Sequence, residues 1–321
     1  MKIAFLGIDI SKKTFDVALL IEDKYRTKKF NNSQPGFKRL LEWISNKDIS
    51  LQLACMEATG VYSEDLAIFL FNNDIKISVV NPARVKGFAQ SQLSRSKTDE
   101  SDAKLIAEFA KRMQPESWTP PPEHIKLLQA YTRRLEDLIQ MHRQEENRLE
   151  VVCDELKNDV SQNVEMFKMQ IKDLRKKICI HIKNHPDLKE KDALLRSIPA
   201  VGDTVSSKIL GVLCEIEKFS TAKQVAAFIG LNPKQRQSGT SVKGRTTLSK
   251  TGNKEIRKAL YMPALTAIKY NPILKNFYER LINRGKSKMC AIGAVMRKMV
   301  HIIFGVLKSG QEFDENYLKT A

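Results

Sequence analysis

The longest stretch without glycine or proline runs from residue 123 to residue 185, and it restricts the fold more than any other feature of the sequence. Apolar residues recur there at helical spacing in two stripes, 127–141 and 164–182. The preceding segment, 113–122, contains four prolines and cannot continue a helix, so we expect a linker. The pattern predicts two long helices paired as an antiparallel hairpin or coiled coil, serving either as a simple spacer or as an oligomerisation arm.

The residues before the linker alternate between strand-like and helix-like segments. Three strand-like runs come first, and helices then alternate with two further strands: 3–9, 15–22, 25–30, 37–45 (helix), 51–57, 62–72 (helix), 76–80 and 99–112 (helix). This order predicts a mixed sheet with helices packed against it, an α/β domain. The predicted organisation is an α/β domain at 1–112, a linker at 113–122, a helical spacer at 123–190 and a mainly helical domain at 191–321.

Four acidic residues stand at element ends in the N-terminal part. Asp9 ends the first predicted strand, Glu57 ends the strand at 51–57, and Asp99 and Asp102 share one face near the start of a helix. Asp9 and Glu57 would share one rim of the sheet if their strands are neighbours. Four converging carboxylates repel one another unless a cation lies between them, and oxygen ligands without His or Cys select Mg²⁺ or Mn²⁺.

Each of these acids also has an ordinary structural interpretation. Asp99 is a favourable residue at a helix N-terminus, Asp102 could be a surface charge, and Glu57 could cap the following turn. Asp9 alone resembles the phosphate-loop aspartate of sugar kinases and actin-like ATPases. That last interpretation needs a second glycine-rich phosphate loop, and the N-terminal half contains none.

The formal charge of +17 is concentrated in the C-terminal part of the chain. Residues 1–110 hold 16 Lys/Arg against 14 Asp/Glu, whereas 223–298 hold 17 against 2. Such a cluster indicates a polyanionic partner and predicts nucleic-acid binding, since solvated faces usually mix both signs. No run of 18 apolar residues occurs, so no membrane span or membrane partner is predicted.

The basic segment 228–258 also carries hydroxyl groups and permissive glycines. Its hydroxyls include those of Ser238, Thr240, Ser241 and Ser249. The cations assigned to nucleic-acid contact are Lys234, Arg236, Lys243, Arg245, Lys250 and Lys254. A serine among fixed cations suits attack on a DNA phosphate, whereas a flexible basic loop that only contacts the backbone fits the same residues.

Two further patterns carry less weight. The turn Ser197–Gly202 before a helix resembles half of a helix-hairpin-helix motif, although Ala200 stands where a glycine is more usual. His181 and His185 have a helical spacing that could hold a metal, but no third ligand lies nearby in sequence. The five cysteines form no close pair, so neither a disulfide framework nor a zinc site is expected, and they fit reduced core residues of a cytoplasmic protein.

Taken together, these motifs resemble the DEDD transposases of the insertion sequence 110 family over nearly the whole chain. The resemblance rests on GIDISK, EATGVY, NPARVKGFAQ, KTDESDA, SIPAVG, AAFIGLNP, RQSGTSVKGRTTLSKTGN and ALYMPAL, in matching order. It implies a RuvC-like, ribonuclease-H-fold N-terminal domain with Asp9, Glu57, Asp99 and Asp102 as its Mg²⁺-binding acids. It implies a helical coiled-coil spacer and a mainly α transposase domain with a nucleophilic serine, placed on Ser238 with Ser241 as the alternative.

The resemblance also implies partners. Well-studied members assemble as tetramers on a structured non-coding guide RNA that pairs with donor and target DNA. We therefore expect a homo-oligomer here, a dimer or tetramer, in the bacterial cytoplasm at the nucleoid. A serine from a second subunit would join the acids in a composite site. The alternatives are a metal-dependent junction nuclease, which cuts through water, and a non-catalytic nucleic-acid-binding protein.

Overall fold

The structure is a computed structural model. It describes residues 2–58, 60–92, 98–213, 216–234, 237–238, 242–243 and 246–315, with the backbone alone at 61, 237, 238, 242 and 243. The chain divides into two compact units, one up to Pro121 and one from Pro122 onward.

A five-stranded mixed sheet forms the centre of the first unit. Its strands are β1 (Lys2–Ile10), β2 (Thr14–Ile21), β3 (Lys24–Asn31), β4 (Ile49–Glu57) and β5 (Ile77–Val80). They lie in the order β3-β2-β1-β4-β5. The first three form an antiparallel meander, and β4 and β5 run parallel to β1. The mixed α/β architecture predicted from the segment order is confirmed.

Helices cover both faces of this sheet. They are α1 (Gln34–Ser45), α2 (Val61–Asn72), α3 (Pro82–Ser91) and α4 (Asp99–Met113). Helices α1 and α2 bury residues such as Phe37, Leu40 and Leu66 against one face, while α4 packs Ala103 and Ala107 against the other. Burying both faces explains why the central strands are apolar along most of their length.

Helix α3 was not predicted from the sequence. Asn81 and Pro82 directly follow the strand predicted at 76–80, and they begin this helix. The Asn81 side chain accepts a hydrogen bond of 2.9 Å from the backbone N–H of Ala83, and Pro82 occupies the first helical turn, where its missing N–H costs nothing.

The proline-rich segment after α4 has no regular structure and attaches to the first unit. The backbone N–H of Trp118 donates to the carbonyl of Ile77 at 2.6 Å. The hydroxyl of Ser78 donates to the carbonyls of Pro115 and Glu116 at 2.9 and 2.6 Å. These bonds extend the edge strand β5, so the segment is ordered despite lacking a helix.

The second unit begins with the two long helices predicted from the glycine-free stretch. Helix α5 (Glu123–Val151) and helix α6 (Asp154–Asn184) are joined by two residues and pack against each other as a helical hairpin. Buried residues of both helices, including Leu128, Leu135 and Ile171, belong to the same core as the helices that follow. The hairpin is therefore part of the fold of this unit.

Seven helices and two short ribbons complete the described part of this unit. The helices are α7 (Pro186–Arg196), α8 (Asp203–Leu213), α9 (Ala222–Ile229), α10 (Lys254–Ala259), α11 (Tyr261–Tyr270), α12 (Pro272–Asn283) and α13 (Lys288–Ser309), with a 3-10 turn at Ile216–Lys218. Strands β6 (Pro233–Lys234) and β9 (Thr247–Leu248) form one ribbon, and β7 (Gln237–Ser238) and β8 (Val242–Lys243) form the other.

Helix α13 is the central helix of this core. By length and composition it is long and apolar enough to cross a membrane, although the sequence shows no uninterrupted apolar run of that length. More than half of its apolar window is buried inside the unit, with Val295, Met299 and Val300 almost fully enclosed. Packing inside the unit accounts for its apolar character.

Candidate functional site

The first two predicted acids lie side by side at one end of the sheet. Strands β1 and β4 are parallel neighbours, and Ile8 pairs with Met56. Both of these residues are fully buried in the core beneath α1 and α2. Because side chains alternate along a strand, the next residues, Asp9 and Glu57, lie on the opposite face, against which α4 packs. The condition under which Asp9 and Glu57 share one rim of the sheet, that their strands are neighbours, is met.

The other two acids are brought to this face by the first turn of α4. Thr98 caps the helix by accepting a 3.2 Å hydrogen bond from the backbone N–H of Ser101, and the Ser101 hydroxyl accepts in return from Thr98 at 2.8 Å. This capping box fixes the start of the helix, so Asp99 and Asp102 fall within its first turn.

A single glycine lets α4 approach the sheet closely enough for this arrangement. A Cβ atom on Gly7 would lie 2.1 Å from the carbonyl oxygen of Ala103 and 2.3 Å from the backbone nitrogen of Ala107. Backbone therefore packs against backbone, two residues before Asp9 on the strand and one residue after Asp102 on the helix. Gly7 sets the distance between the two pairs of acids.

Two of the other predicted acids act electrostatically on Asp9. Burial is the largest cause that raises the pKa of Asp9 from 3.8 to about 6, followed by the negative charges of Asp102, Asp99 and Asp16 in that order. Asp16 stands opposite Asp9 in the β1–β2 register. The N-terminal part thus contains a concentrated negative site at one end of its sheet.

One lysine partly neutralises this site. The ammonium group of Lys29 lies 3.0 Å from a carboxylate oxygen of Asp16 and 3.7 Å from one of Asp99. Asp16 and Lys29 were not among the site residues predicted from the sequence. Both were detectable, because a hairpin loop at residues 11–13 places Asp16 opposite Asp9 and Lys29 opposite Asp16.

The donor set at this end of the sheet matches a hard cation in chemistry. All four predicted ligands are carboxylates. The pKa of Asp9 is raised first by burial and then by neighbouring negative charges, and a divalent cation would relieve the repulsion from those charges. Within the described ranges, however, no three Asp, Glu, His or Cys side chains stand close enough to hold one ion. Asp99 is turned instead toward Lys29.

The raised pKa of Asp9 leads to a prediction on stability. Between about pH 4 and pH 6 the folded protein retains a proton that the unfolded chain has lost, so stability should fall as the pH rises through this interval. Asp9→Asn removes the cost of burying this charge and, to a smaller extent, its repulsion from the neighbouring carboxylates. At pH 7.5 without divalent ions, we expect it to stabilise the protein by about 1 kcal/mol, a figure discounted for the partial exposure of the carboxylate.

Thermal unfolding of both proteins from pH 4 to pH 8 in EDTA tests this expectation. The melting temperature of Asp9→Asn should exceed that of the wild type above pH 6 and match it near pH 4. Asp48→Asn, at an exposed carboxylate between α1 and β4, is the matched control and should leave the profile unchanged. Equal profiles for Asp9→Asn and the wild type would contradict the clustering of the acids.

The predicted serine lies in a short ribbon of the second unit. Ser238 ends strand β7 and pairs with Val242 of β8 in an antiparallel register. Lys234, Lys250 and Lys254 are exposed. Lys243 belongs to β8, and the predicted residues Arg236, Arg245 and Ser241 lie outside the described residues.

We call residues 235–246 the serine segment. An outer ribbon joins its two ends, with Pro233 paired to Leu248 and Lys234 paired to Thr247. Helix α13 anchors this ribbon. The guanidinium of Arg297 donates to the side-chain oxygen of Asn232 at 2.6 Å, and the Leu248 side chain covers Gly293.

Two chain segments cross next to the ribbon, with a glycine of each at the crossing point. Gly230 and Gly252 have φ angles of 81° and 137°, and a Cβ on Gly252 would lie 2.2 Å from the carbonyl oxygen of Phe228. Hydrogen bonds hold the crossing, from Lys250 N–H to the Gly230 carbonyl at 3.1 Å and from Asn253 N–H to the Phe228 carbonyl at 2.8 Å. The serine segment therefore leaves and re-enters the core at adjacent points.

The turn at Ser197–Gly202 joins α7 and α8, as the sequence predicts. Ala200 has a φ of 77°, a conformation that strongly favours glycine, which explains why a glycine is the more usual residue there. The N–H of Val201 donates to the Ile198 carbonyl at 3.0 Å. The geometry is that of a tight turn leading into a helix N-terminus.

The two histidines considered as metal ligands make hydrogen bonds within the fold. A ring nitrogen of His181 donates to the His124 carbonyl at 2.8 Å, and one of His185 donates to the His181 carbonyl at 2.7 Å. The rings of His124 and His185 stack at 4.8 Å. Burial raises the pKa of the Cys55 thiol to about 12, as expected of a core residue. Cys153, Cys179 and Cys290 are exposed, so the prediction of core cysteines is wrong for these three.

Two models of known protein families match different parts of this chain. A family model described as "Transposase" matches residues 6–157, a range that contains all four acids. A second, described as "Transposase IS116/IS110/IS902 family", matches residues 192–279, which contain the Ser197–Gly202 turn and Ser238.

Curated relatives agree with these matches. The chain is 31% identical over 318 residues to the "Pilin gene-inverting protein" of Moraxella lacunata, covering 98% of this chain and 99% of that protein, with the same values for the Moraxella bovis protein. It is 27% identical over 121 residues to the "Insertion element IS110 uncharacterized 43.6 kDa protein" of Streptomyces coelicolor, covering 38% of this chain and 30% of that protein. The chain therefore belongs to the insertion sequence 110 family of transposases and recombinases, enzymes that process DNA.

Proposed function

We propose that this protein is an RNA-guided DNA recombinase that exchanges strands through a covalent phosphoseryl intermediate and depends on a divalent metal ion, Mg²⁺ or Mn²⁺. The observation that carries the proposal is the repulsive group of carboxylates around Asp9, held at one sheet end by Gly7. The strand order, with an antiparallel meander and two parallel strands, supports a RuvC-like assignment for this unit.

Asp9, Glu57, Asp99 and Asp102 are the proposed metal ligands. Asp99 would have to exchange its contact with Lys29, which lies 3.7 Å away, for the ion. Lys29 would then remain paired with Asp16, so this lysine would neutralise the charge of Asp16 both with and without the bound ion. The bound ion supplies Lewis-acid stabilisation of negative charge on the phosphate and leaving oxygens.

Ser238 is the proposed nucleophile. Its hydroxyl oxygen attacks the phosphorus of the DNA backbone, and a phosphorus–oxygen bond to serine forms. The bond from phosphorus to one bridging deoxyribose oxygen breaks, and that oxygen leaves as a hydroxyl after taking up a proton. The serine proton passes to a base. In the second step a deoxyribose hydroxyl of another strand attacks the same phosphorus and releases the serine.

The basic residues around Ser238 are proposed to hold the phosphate. Lys234, Lys250 and Lys254 are exposed near the base of the serine segment, and Arg236, Lys243 and Arg245 lie within it by sequence. Fixed cations stabilise charge on the non-bridging oxygens as the pentacovalent transition state forms.

The serine and the acids are proposed to meet across subunits in a dimer or tetramer. The α5–α6 hairpin supports the interpretation as an oligomerisation arm, because it exposes large apolar side chains: Met141, Val151, Leu156, Met166 and Met169. Contact with a second subunit would remove these side chains from water, which favours the oligomer.

Guidance by a structured RNA rests on the family resemblance and on the positive charge of the C-terminal unit. The proposed substrates are donor and target DNA. The relative named for pilin gene inversion supports recombination of DNA segments as the reaction class.

Covalent trapping tests the proposal. The purified ribonucleoprotein is incubated with end-labelled donor and target DNA and Mg²⁺, and the products are resolved on a denaturing gel. We expect a labelled protein–DNA adduct that depends on both the metal and the co-purified RNA. Cleaved DNA without an adduct would instead identify a junction nuclease, and an absence of cleavage would leave only nucleic-acid binding.

A further inference from the structure

The helices of the second unit enclose a large groove. It has a volume of about 1140 Å³ and lies between the α5–α6 hairpin on one side and helices α8, α10 and α11 on the other. A smaller cavity of about 250 Å³ shares Arg175, Asp203 and Thr204 with it and extends it toward Arg196. The groove is thus a continuous surface feature.

Cations from both sides line this groove. Arg143 comes from α5, Lys172, Arg175 and Lys176 from α6, and Lys258 from α10. All five are exposed, and none has an ion-pair partner within the part of the chain that the structure describes. Their spacing along α6 places three of them on one helical face.

The acids that line the groove already have partners. Glu136 pairs with Lys208, Glu146 pairs with His142 at 3.2 Å, and Asp203 pairs with Arg196 at 2.9 Å. Asp173, the acid between Lys172 and Arg175, does not line the groove. The unpaired charge facing the groove is therefore positive, unlike that of a mixed solvated surface.

We infer that this groove binds the phosphodiester backbone of a nucleic acid through Arg143, Lys172, Arg175, Lys176 and Lys258. Unpaired cations on two facing walls match a linear polyanion, in which phosphates recur at regular intervals. The inference rests on the action of the family on nucleic acid, and it is independent of the phosphoseryl step. A groove lined from two sides positions a strand but carries no sequence information.

Equilibrium binding tests the inference. The full protein with Lys172→Gln, Arg175→Gln and Lys176→Gln combined is titrated against a fluorescent DNA duplex, and separately against a structured RNA hairpin, from 50 to 300 mM salt. We expect the dissociation constant to rise roughly tenfold or more for at least one of the two nucleic acids. The slope of the logarithm of affinity against the logarithm of salt concentration should become shallower, by an amount that corresponds to about two to three lost phosphate contacts.

The matched control removes the same charge elsewhere. Lys177→Gln, Lys189→Gln and Lys275→Gln alter exposed lysines outside the groove, and this variant should bind within about twofold of the wild type. Weaker binding of the groove variant to DNA alone, to RNA alone or to both identifies which nucleic acid occupies the groove. Equal binding by both triple variants would overturn the inference, and thermal unfolding verifies that each is folded. A groove variant that still forms the covalent adduct at saturating protein separates this result from the serine chemistry.

Discussion

Ser238→Ala is expected to abolish both recombination and the covalent protein–DNA adduct, while the dissociation constant for DNA changes by less than about twofold. Loss of a nucleophile that forms a covalent intermediate lowers the rate by about four orders of magnitude or more. Binding should persist because the basic residues around the serine are unchanged. A denaturing gel measures the adduct, and fluorescence anisotropy measures the affinity.

Two neighbouring serines make this experiment specific. Ser241→Ala removes a hydroxyl three residues away in sequence, and Ser249→Ala removes one at the base of the segment, where the backbone of Ser249 donates to the Asn232 carbonyl at 2.8 Å. Both variants should retain the adduct. If Ser241→Ala alone loses it, the nucleophile is Ser241, and if all three retain it, the phosphoseryl proposal is wrong.

Gly7→Ala is expected to destabilise the first unit by about 3 kcal/mol, at the upper end of the usual cost of overpacking. The added methyl group would meet backbone atoms of α4 at 2.1 and 2.3 Å, and no side-chain rotation can relieve a contact with backbone. The helix must move away, which carries Asp99 and Asp102 away from Asp9. Since a displacement of about 1 Å can cost a hundredfold in rate, recombination should fall by at least that factor.

Gly87→Ala is the matched control for this substitution. Gly87 lies within α3 of the same unit, and a Cβ there would meet no atom within 4 Å. Alanine should stabilise this helix by about 0.5–1 kcal/mol, because it restricts the unfolded chain. Urea unfolding and a recombination assay of both variants decide the matter. A Gly7→Ala protein with normal stability and activity would contradict the close packing of α4 on β1.

The sequence predicted most of the first unit because its strands and helices are marked by strong local patterns. Asp9 and Glu57 end strands that proved to be parallel neighbours. Which strands would pair was not contained in any local pattern, since pairing depends on how helices cover the two faces. The contribution of Gly7 was also missed, because a close approach of two backbones leaves no periodic signal in the sequence.

The groove of the second unit shows why charge must be assigned to the faces of a helix and not only counted along the sequence. Along α6 the cations Lys172, Arg175 and Lys176 are interrupted by Asp173, so a linear count of this helix gives a mixed surface. Helical spacing alone would have placed the three cations on one face. Their facing partner, Lys258, lies far away in sequence, and only the tertiary fold brings it opposite them.

The glycine crossing behind the serine segment has a consequence for how such enzymes diversify. Because Gly230 and Gly252 fix both ends of the segment at the core, residues between Lys234 and Thr247 can change in length or sequence without strain reaching α13. Evolution and engineering thus have an interchangeable cassette at this position. A segment transplanted from a distant relative, with both glycines retained, should therefore yield a folded chimera.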